Sequence, residues 1–412
     1  MLGSSSNNFF HKLLLLLSFY CGIFLLLLVA EAYLSNLQVF SEINLLNWDA
    51  AHYFEIVHEG YKNENVAFFP LFPFFWKFIH ASVAGISILN GLMYIFSMAW
   101  LAEAFNFKNK NLLLLSSIPS LIFMFLPFSE AIFFIAASIL LIGLKKDNHA
   151  LVYSGLILAS MARPVATIFI PAILVTSYLC RGEKPVILKK TILQLIFCVM
   201  GLFLVFILQF YETGKWFTFF EYQKNWNNYL RLPVIPLSSW SGGYIVRLDA
   251  MAFFFGLAAI AWLVYFIIKS TKSSIGAYDK PLIFSLCYLA FLTCTILFTK
   301  GGSFNSFNRY LFVSPFLIFA LNRFLETQSF NWKNLVIVFI SSSVIWLLFA
   351  SYVHIQYFLK FELLSVYLCL LFLCTHTLNK RMSSMGFVAV ALINIYFLIT
   401  FMNRFLSGEW VG

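Results

Sequence analysis

Residues 48–76, WDAAHYFEIVHEGYKNENVAFFPLFPFFW, hold the groups in this chain best suited to chemistry: Asp49, His52, Glu55, His58, Glu59 and Glu64, followed by a run of aromatics broken by prolines. Carboxylates and imidazoles exchange protons near neutral pH, so a cluster of this kind can serve acid–base catalysis. A structural role fits the same residues. Read as a helix, residues 47 to 59 place Asp49, His52, Tyr53 and Ile56 along one face and Trp48, His52, Glu55 and Glu59 along an adjoining one. Asn44 or Asn47 would cap that helix, Asp49 would sit well in its first turn, and Trp48 and Tyr53 would anchor it at headgroup level. Spacing alone leaves both readings open.

The elements that must position these groups are membrane spans. The chain is 61% hydrophobic and 19% aromatic, with a mean hydropathy of +0.87 and only 11% charged residues, against about 25% charged in a soluble domain. It is expected to be an all-α integral membrane protein. Runs of sufficient apolar length number about 11 to 13. They lie near Leu13–Tyr33, Ile86–Ala104, Leu112–Leu126, Ala131–Leu144, Leu151–Ala162, Val165–Cys180, Ile192–Phe210, Leu248–Ile268, Leu282–Phe298, Tyr310–Leu321, Leu335–Val353, Leu363–Thr375 and Met385–Phe401. The first run lacks a small-residue cleavage site before Glu31 and reads as a retained helix. No repeat or soluble domain stands out, so residues 1–412 form one membrane-embedded unit, with no role read for the spans of 320–412.

Lys and Arg are unevenly distributed between the connections. Lys12, Lys108, Lys110, Lys145, Lys146, Lys189, Lys190, Lys269, Lys272 and Arg323 mark one side, which the positive-inside rule makes cytoplasmic. The other side then carries the long connections at 34–85 and 211–247 and the shorter one at 299–309, which should converge. These hold basic residues that topology does not require, among them Lys215, Arg247, Lys300 and Arg309, and an anionic ligand would account for them. The net charge of +10 is otherwise explained by orientation and by anionic headgroups, so no nucleic-acid partner is implied. The cysteines lie in or beside apolar runs, and neither they nor the scattered histidines have the spacing of a metal site. There is no phosphate-binding loop, dinucleotide fingerprint or nucleophile elbow.

A longer pattern narrows the choice. Trp48-Asp49, His52, Ile56, Gly60-Tyr61, Glu64 and Ala67-Phe68-Phe69-Pro70-Leu71-Phe72-Pro73 resemble the first-loop signature of the PIG-V-type mannosyltransferases, that is, the GPI mannosyltransferase II family and its bacterial relatives. Pro127-Phe128-Ser129-Glu130 resembles that family's aromatic-Ser-Glu turn, and Ala162-Arg163-Pro164 its Arg-containing break. Gly214 to Trp226 is similar to the second outer loop of bacterial members, and Asn308-Arg309-Tyr310 to the position of their late arginine. The resemblance runs from about residue 40 to about residue 320.

The resemblance implies a GT-C-type multi-span helical bundle whose extracytoplasmic first loop carries interfacial helices. It implies an inverting transfer of a hexose, most often mannose, from a polyprenyl- or dolichyl-phosphate sugar to a glycolipid or glycan acceptor, without cofactor or metal. Asp49 matches the acid that serves as base. Trp48, His52, Glu64, Phe69, Pro70, Glu130, Arg163 and Arg309 are the expected substrate-binding residues, the arginines because a departing lipid phosphate needs a counter-charge. Glu130 could equally hold Arg163 in place, and Phe69 and Pro70 could belong to a rigid connector. A bacterial cytoplasmic membrane is the expected location, or the endoplasmic reticulum membrane in a eukaryote. The alternatives are a lipid or sugar transporter and a non-catalytic subunit of a membrane complex.

Overall fold

The structure is a computed structural model that describes residues 3–34, 41–180, 184–239, 243–272, 278–327, 332–349 and 380–412. In chain order, α1 (Gly3–Leu34) leads to the short helices α2 (Glu42–Leu45) and α3 (Asp49–Glu59), a 3₁₀ turn over Asn63–Ala67, and α4 (Leu71–Ile79). Then come α5 (Val83–Ala104), α6 (Asn109–Ser116), a 3₁₀ stretch over Pro119–Phe125, α7 (Glu130–Lys146), α8 (His149–Ala162), α9 (Ala166–Leu179) and α10 (Lys184–Thr213). The chain continues through α11 (Thr218–Asn225), α12 (Gly243–Lys272), α13 (Lys280–Thr299), α14 (Phe307–Phe312), α15 (Pro315–Thr327), α16 (Trp332–Phe349) and α17 (Lys380–Leu406). Among the described residues the only strand-like pairing is an isolated bridge between Ser238 and Ser303.

Seven of these helices, α1, α5, α10, α12, α13, α16 and α17, are long and apolar enough to cross a membrane, which makes the chain a multi-pass membrane protein. Against the apolar runs expected, about 11 to 13, seven helices among the described residues reach crossing length, and prolines shorten others. Pro119 and Pro127 split the runs at 112–126 and 131–144, where the 3₁₀ stretch and α7 meet at a bend of 102°. Pro164 leaves α8 and α9 with 14 residues each. The run at 310–321 is divided, just before Pro315, into α14 and α15. In each case the residue before proline is driven out of the helical region and the ring removes a donor. The run Leu363–Thr375 lies outside the described residues.

Tight helix pairing compensates for the short elements. Gly155 of α8 lies so close to α7 that a Cβ there would stand 2.6 Å from the backbone nitrogen of Leu140, so only glycine admits the contact. Close backbone approach of this kind supplies the van der Waals packing that replaces the hydrophobic drive within a lipid environment.

Charged residues collect at both ends of the bundle. At one end Lys12 donates to the Ala102 carbonyl at 2.7 Å, Lys145 donates to the Ala104 carbonyl, and Asp147 pairs with Lys280 at 3.0 Å and Lys190 at 3.4 Å. α7 runs from that end, at Lys146, to the other, at Glu130. The two poles match the Lys/Arg asymmetry of the sequence, by which the Lys146 pole is expected to be the cytoplasmic one. A cysteine at exposed Glu64 should therefore react with an impermeant thiol reagent in intact cells, and one at exposed Lys146 only after the inner face is opened. Labelling in the reverse order would invert the assignment.

Candidate functional site

At the pole opposite Lys146, four ionisable side chains distant in sequence meet. Arg309, at the centre of α14, donates through Nη1 to Asp49 Oδ2 at 2.6 Å and through Nε to Glu130 Oε1. Arg163 Nη2 stands 3.4 Å from the same Glu130 oxygen. Along the chain of contacts side-chain exposure is 23% for Asp49, 3% for Arg309, 0% for Glu130 and 11% for Arg163, lowest at its centre. One carboxylate is thus buried between two guanidinium groups, and a second sits at the rim on the free side of Arg309.

Each member is placed by a break in the helical chain. Asp49 opens α3, Glu130 opens α7 after the Pro127 turn, and Arg163 follows the last residue of α8 before Pro164. Arg309 lies in six-residue α14, which a buried network holds from beneath. Asp249 accepts from the Asn308 backbone N–H and from Asn308 Nδ2, both at 2.8 Å, and from Ser239 Oγ at 2.5 Å, while Ser120 Oγ donates to Asn308 Oδ1 at 2.9 Å. These contacts fix the residue next to Arg309 from α12, from the 211–247 connection and from the 3₁₀ stretch.

Aromatic rings close over the guanidinium groups. Arg309 Cζ lies 4.6 Å from the Phe128 ring centre, 5.0 Å from Phe123, 5.8 Å from Trp410 and 5.9 Å from Tyr310. Arg163 lies 4.8 Å from Tyr310, and Lys300 Nζ 5.7 Å from the same ring. Desolvated cation–π contacts of this geometry contribute about 2 kcal/mol or more each, which helps offset the burial of charge that a carboxylate partner alone balances poorly. Tyr53 of α3 is buried beside the cluster, and burial followed by the Glu130 charge holds its phenol well above the ordinary tyrosine range, as a neutral hydrogen-bonding group.

The three connections expected to converge do so. Arg231 N–H donates to the Phe298 carbonyl at 2.8 Å, Val234 N–H to Gly301 at 3.0 Å, and Phe304 N–H to Ser238 at 2.7 Å. Gly302 has φ of +90°, and a Cβ on it would stand 2.8 Å from the Val234 carbonyl oxygen, so this crossing needs glycine. The first connection is tied to α10 through Gln209 Nε2, which donates to the Val66 carbonyl at 3.0 Å, and meets the second through rings: Trp226 lies 5.9 Å from His52 and 6.2 Å from Phe68, which are 5.1 Å from each other.

Of the residues picked out in the sequence, Asp49, Glu130, Arg163 and Arg309 form the cluster and Trp48 flanks it. His52 is one helical turn along α3, in the aromatic corner with Phe68 and Trp226. Its Nδ1 is 3.6 Å from Glu55 Oε2, too far for a hydrogen bond. Glu64 is exposed on the 3₁₀ turn. Phe69, 2% exposed, packs on Phe219 with Val205 in a separate apolar group, and buried Pro70 caps α4. The prolines of FFPLFPFFW do not keep it from being helical: Leu71–Ile79 is a helix, because Pro73 sits in the first turn, where its missing N–H costs nothing. Nor is Asn47 the cap of α3. Its Nδ2 donates to the carbonyls of Asn44 at 2.9 Å and Phe405 at 2.8 Å, and Trp48 takes the capping position.

Trp48 has φ of +59° and ψ of −128°, a conformation that costs a bulky residue about 1 to 3 kcal/mol and persists only when its surroundings impose it. Here they come from the segment after α17: Trp48 Nε1 donates to the Gly408 carbonyl at 3.0 Å, and the Trp48 and Trp410 rings are 5.2 Å apart. Sequence reasoning passed over Trp410 and Phe123. Tyr53, Phe68 and Tyr310 stood in the helix face and the motifs without being chosen for the site, although each lies on a face with, or beside, a chosen residue.

The arrangement offers a partly exposed proton acceptor beside anion-binding groups held in aromatic surroundings. No family model, no curated protein and no solved structure matches this chain.

Proposed function

We propose that this chain is a membrane glycosyltransferase of the GT-C type, related to the PIG-V-type mannosyltransferases. In this reading it transfers a hexose, by preference mannose, from a polyprenyl- or dolichyl-phosphate sugar to a glycolipid or glycan acceptor on the extracytoplasmic or lumenal face. The observation that carries the reading is the contact between the rim carboxylate of Asp49 and the buried guanidinium of Arg309, which Glu130 holds from behind. A general base and a phosphate counter-charge are the two groups that such a displacement needs.

In the reaction the acceptor hydroxyl oxygen bonds to the anomeric carbon while that carbon's bond to the phosphate oxygen breaks. The hydroxyl proton passes to Asp49, and the bonding pair leaves on the lipid phosphate, whose charge Arg309 and Arg163 balance. Nucleophile and leaving group occupy opposite sides of the carbon in an inverting step, so the 2.6 Å contact between Asp49 and Arg309 is a resting pair. The arriving phosphate takes over Arg309 and releases Asp49 to act as base. Lipid-borne donors suit this site because the phosphate can sit at headgroup depth while its chain stays in the bilayer.

The purified protein in lipid nanodiscs should form a glycosidic bond from polyprenyl-phosphate mannose and not from GDP-mannose alone, and Arg309→Ala should impair donor use more than acceptor binding. Turnover of the nucleotide sugar without a lipid carrier overturns the reading. So does vectorial movement of intact lipid with no bond formed, which would make the chain a transporter.

A further inference from the structure

Beyond α17 the chain turns back on itself and lies against the site. Gly408 has φ of +84°, and the hydrogen bonds Gly408 N–H to Phe405 carbonyl and Glu409 N–H to Arg404 carbonyl, both 2.9 Å, close the helix end. Glu409 Oε2 accepts from Arg404 Nε at 2.7 Å, which pins the turn. The next residues point inward: Val411 is 1% exposed, and a Cβ on Gly412 would stand 2.5 Å from Phe123 Cζ and 3.2 Å from Arg309 Cδ. Trp410 lies beside the resting pair, 5.2 Å from the ring of Trp48, the residue before Asp49, and 5.8 Å from Arg309 Cζ.

The strained residue and the proposed base are adjacent in sequence. The backbone of Trp48 aims Asp49, and the contacts that impose its positive φ include Gly408 and Trp410. Arg309 is packed by Trp410 and Gly412, so the same short segment touches one partner of the 2.6 Å contact and the residue next to the other. The residues involved are separated by about 360 positions from Asp49, and only the folded chain joins them.

We propose that Ser407–Gly412 is a positioning strap for the site: Gly408 and Trp410 hold Trp48 in the conformation that aims Asp49, and Trp410 and Gly412 hold Arg309 in line with it. This rests on the glycosyltransfer reading above. The strap touches neither substrate nor reacting atoms. It sets the geometry of the groups that do.

The test uses the full chain in nanodiscs with polyprenyl-phosphate mannose, comparing wild type with Trp410→Ala, Trp410→Phe and a chain ending at Ser407. Misplacing a catalytic group by about 1 Å costs about 100-fold in rate, so Trp410→Ala and the shortened chain should lose kcat on that scale with KM for the donor changed little. The pH dependence of kcat should shift in Trp410→Ala, because Asp49 would meet Arg309 differently, and Trp410→Phe should recover most of the rate through its ring. A merely structural strap would lower the amount of folded enzyme and leave kcat per folded molecule and its pH profile in place, and that result overturns the proposal. A shortened chain faster than wild type overturns it too, since the segment would then be a plug. An inert wild type is a separate outcome, which removes the glycosyltransfer reading and the strap's catalytic role with it.

Discussion

Asp49→Asn should fold and express as the wild type does and transfer sugar about 100- to 10,000-fold more slowly, the usual cost of losing a general base. The amide keeps the size of the carboxylate and its oxygen can still accept from Arg309 Nη1, now 2.6 Å from Asp49 Oδ2. What it loses is the capacity to take a proton from the acceptor hydroxyl. Asp49 is 23% exposed and opens α3, where its charge also favours the helix dipole by about 0.3 to 1 kcal/mol, so the stability change should be small. Transfer assayed alongside detergent thermal melts separates the two effects. A variant within threefold of wild-type activity would leave Asp49 as a helix-end residue and remove the mechanism.

The largest stability effect is expected at Glu130. It is fully buried and holds both Arg309 and Arg163, so Glu130→Ala leaves Arg309 with Asp49 and takes from Arg163 the carboxylate it pairs with. Removing one member of a buried ion pair costs about 3 to 5 kcal/mol. Glu130→Gln, which keeps an acceptor oxygen and loses the charge, should cost less. Pairing Glu130→Leu with Arg163→Met should recover part of the loss, because an apolar replacement of a buried pair is often neutral. Thermal melts of the single and double variants in one detergent measure this. Melting temperatures of the single variants that match the wild type would show that the cluster contributes nothing to the fold.

All four members of the cluster could be read from the sequence through the motifs that carry the resemblance, and Arg163 stands out on physical grounds as well, because an ionisable group between apolar runs is costly. Their mutual contacts could not, since no spacing relates 49, 130, 163 and 309. Phe68 and Phe69 show the limit at finer scale. They are adjacent in an extended stretch, where successive side chains face opposite ways, so one ring meets His52 and Trp226 while the other packs on Phe219. An aromatic run does not announce which of its members turns inward. Trp410 was illegible for a different reason, because a tryptophan just beyond a span is the ordinary signature of a membrane interface. Fewer helices reach full crossing length than there are apolar runs, because Pro119, Pro127, Pro164 and Pro315 shorten the elements they border.

The 14 residues of α8 reach about 21 Å at helical rise, short of the roughly 30 Å of hydrocarbon in an average bilayer. Starting from the pole of Lys145 and Lys146, the helix delivers Arg163 to a depth that only a locally thinned leaflet would bring level with lipid headgroups. Thickness mismatch carries an energy that grows with each ångström, and here it falls on the path between a headgroup and the guanidinium cluster. The lipid around the protein therefore acts as part of its working environment. On the glycosyltransfer reading, lengthening the acyl chains of the host membrane should slow transfer, and shortening them should quicken it, with no residue changed.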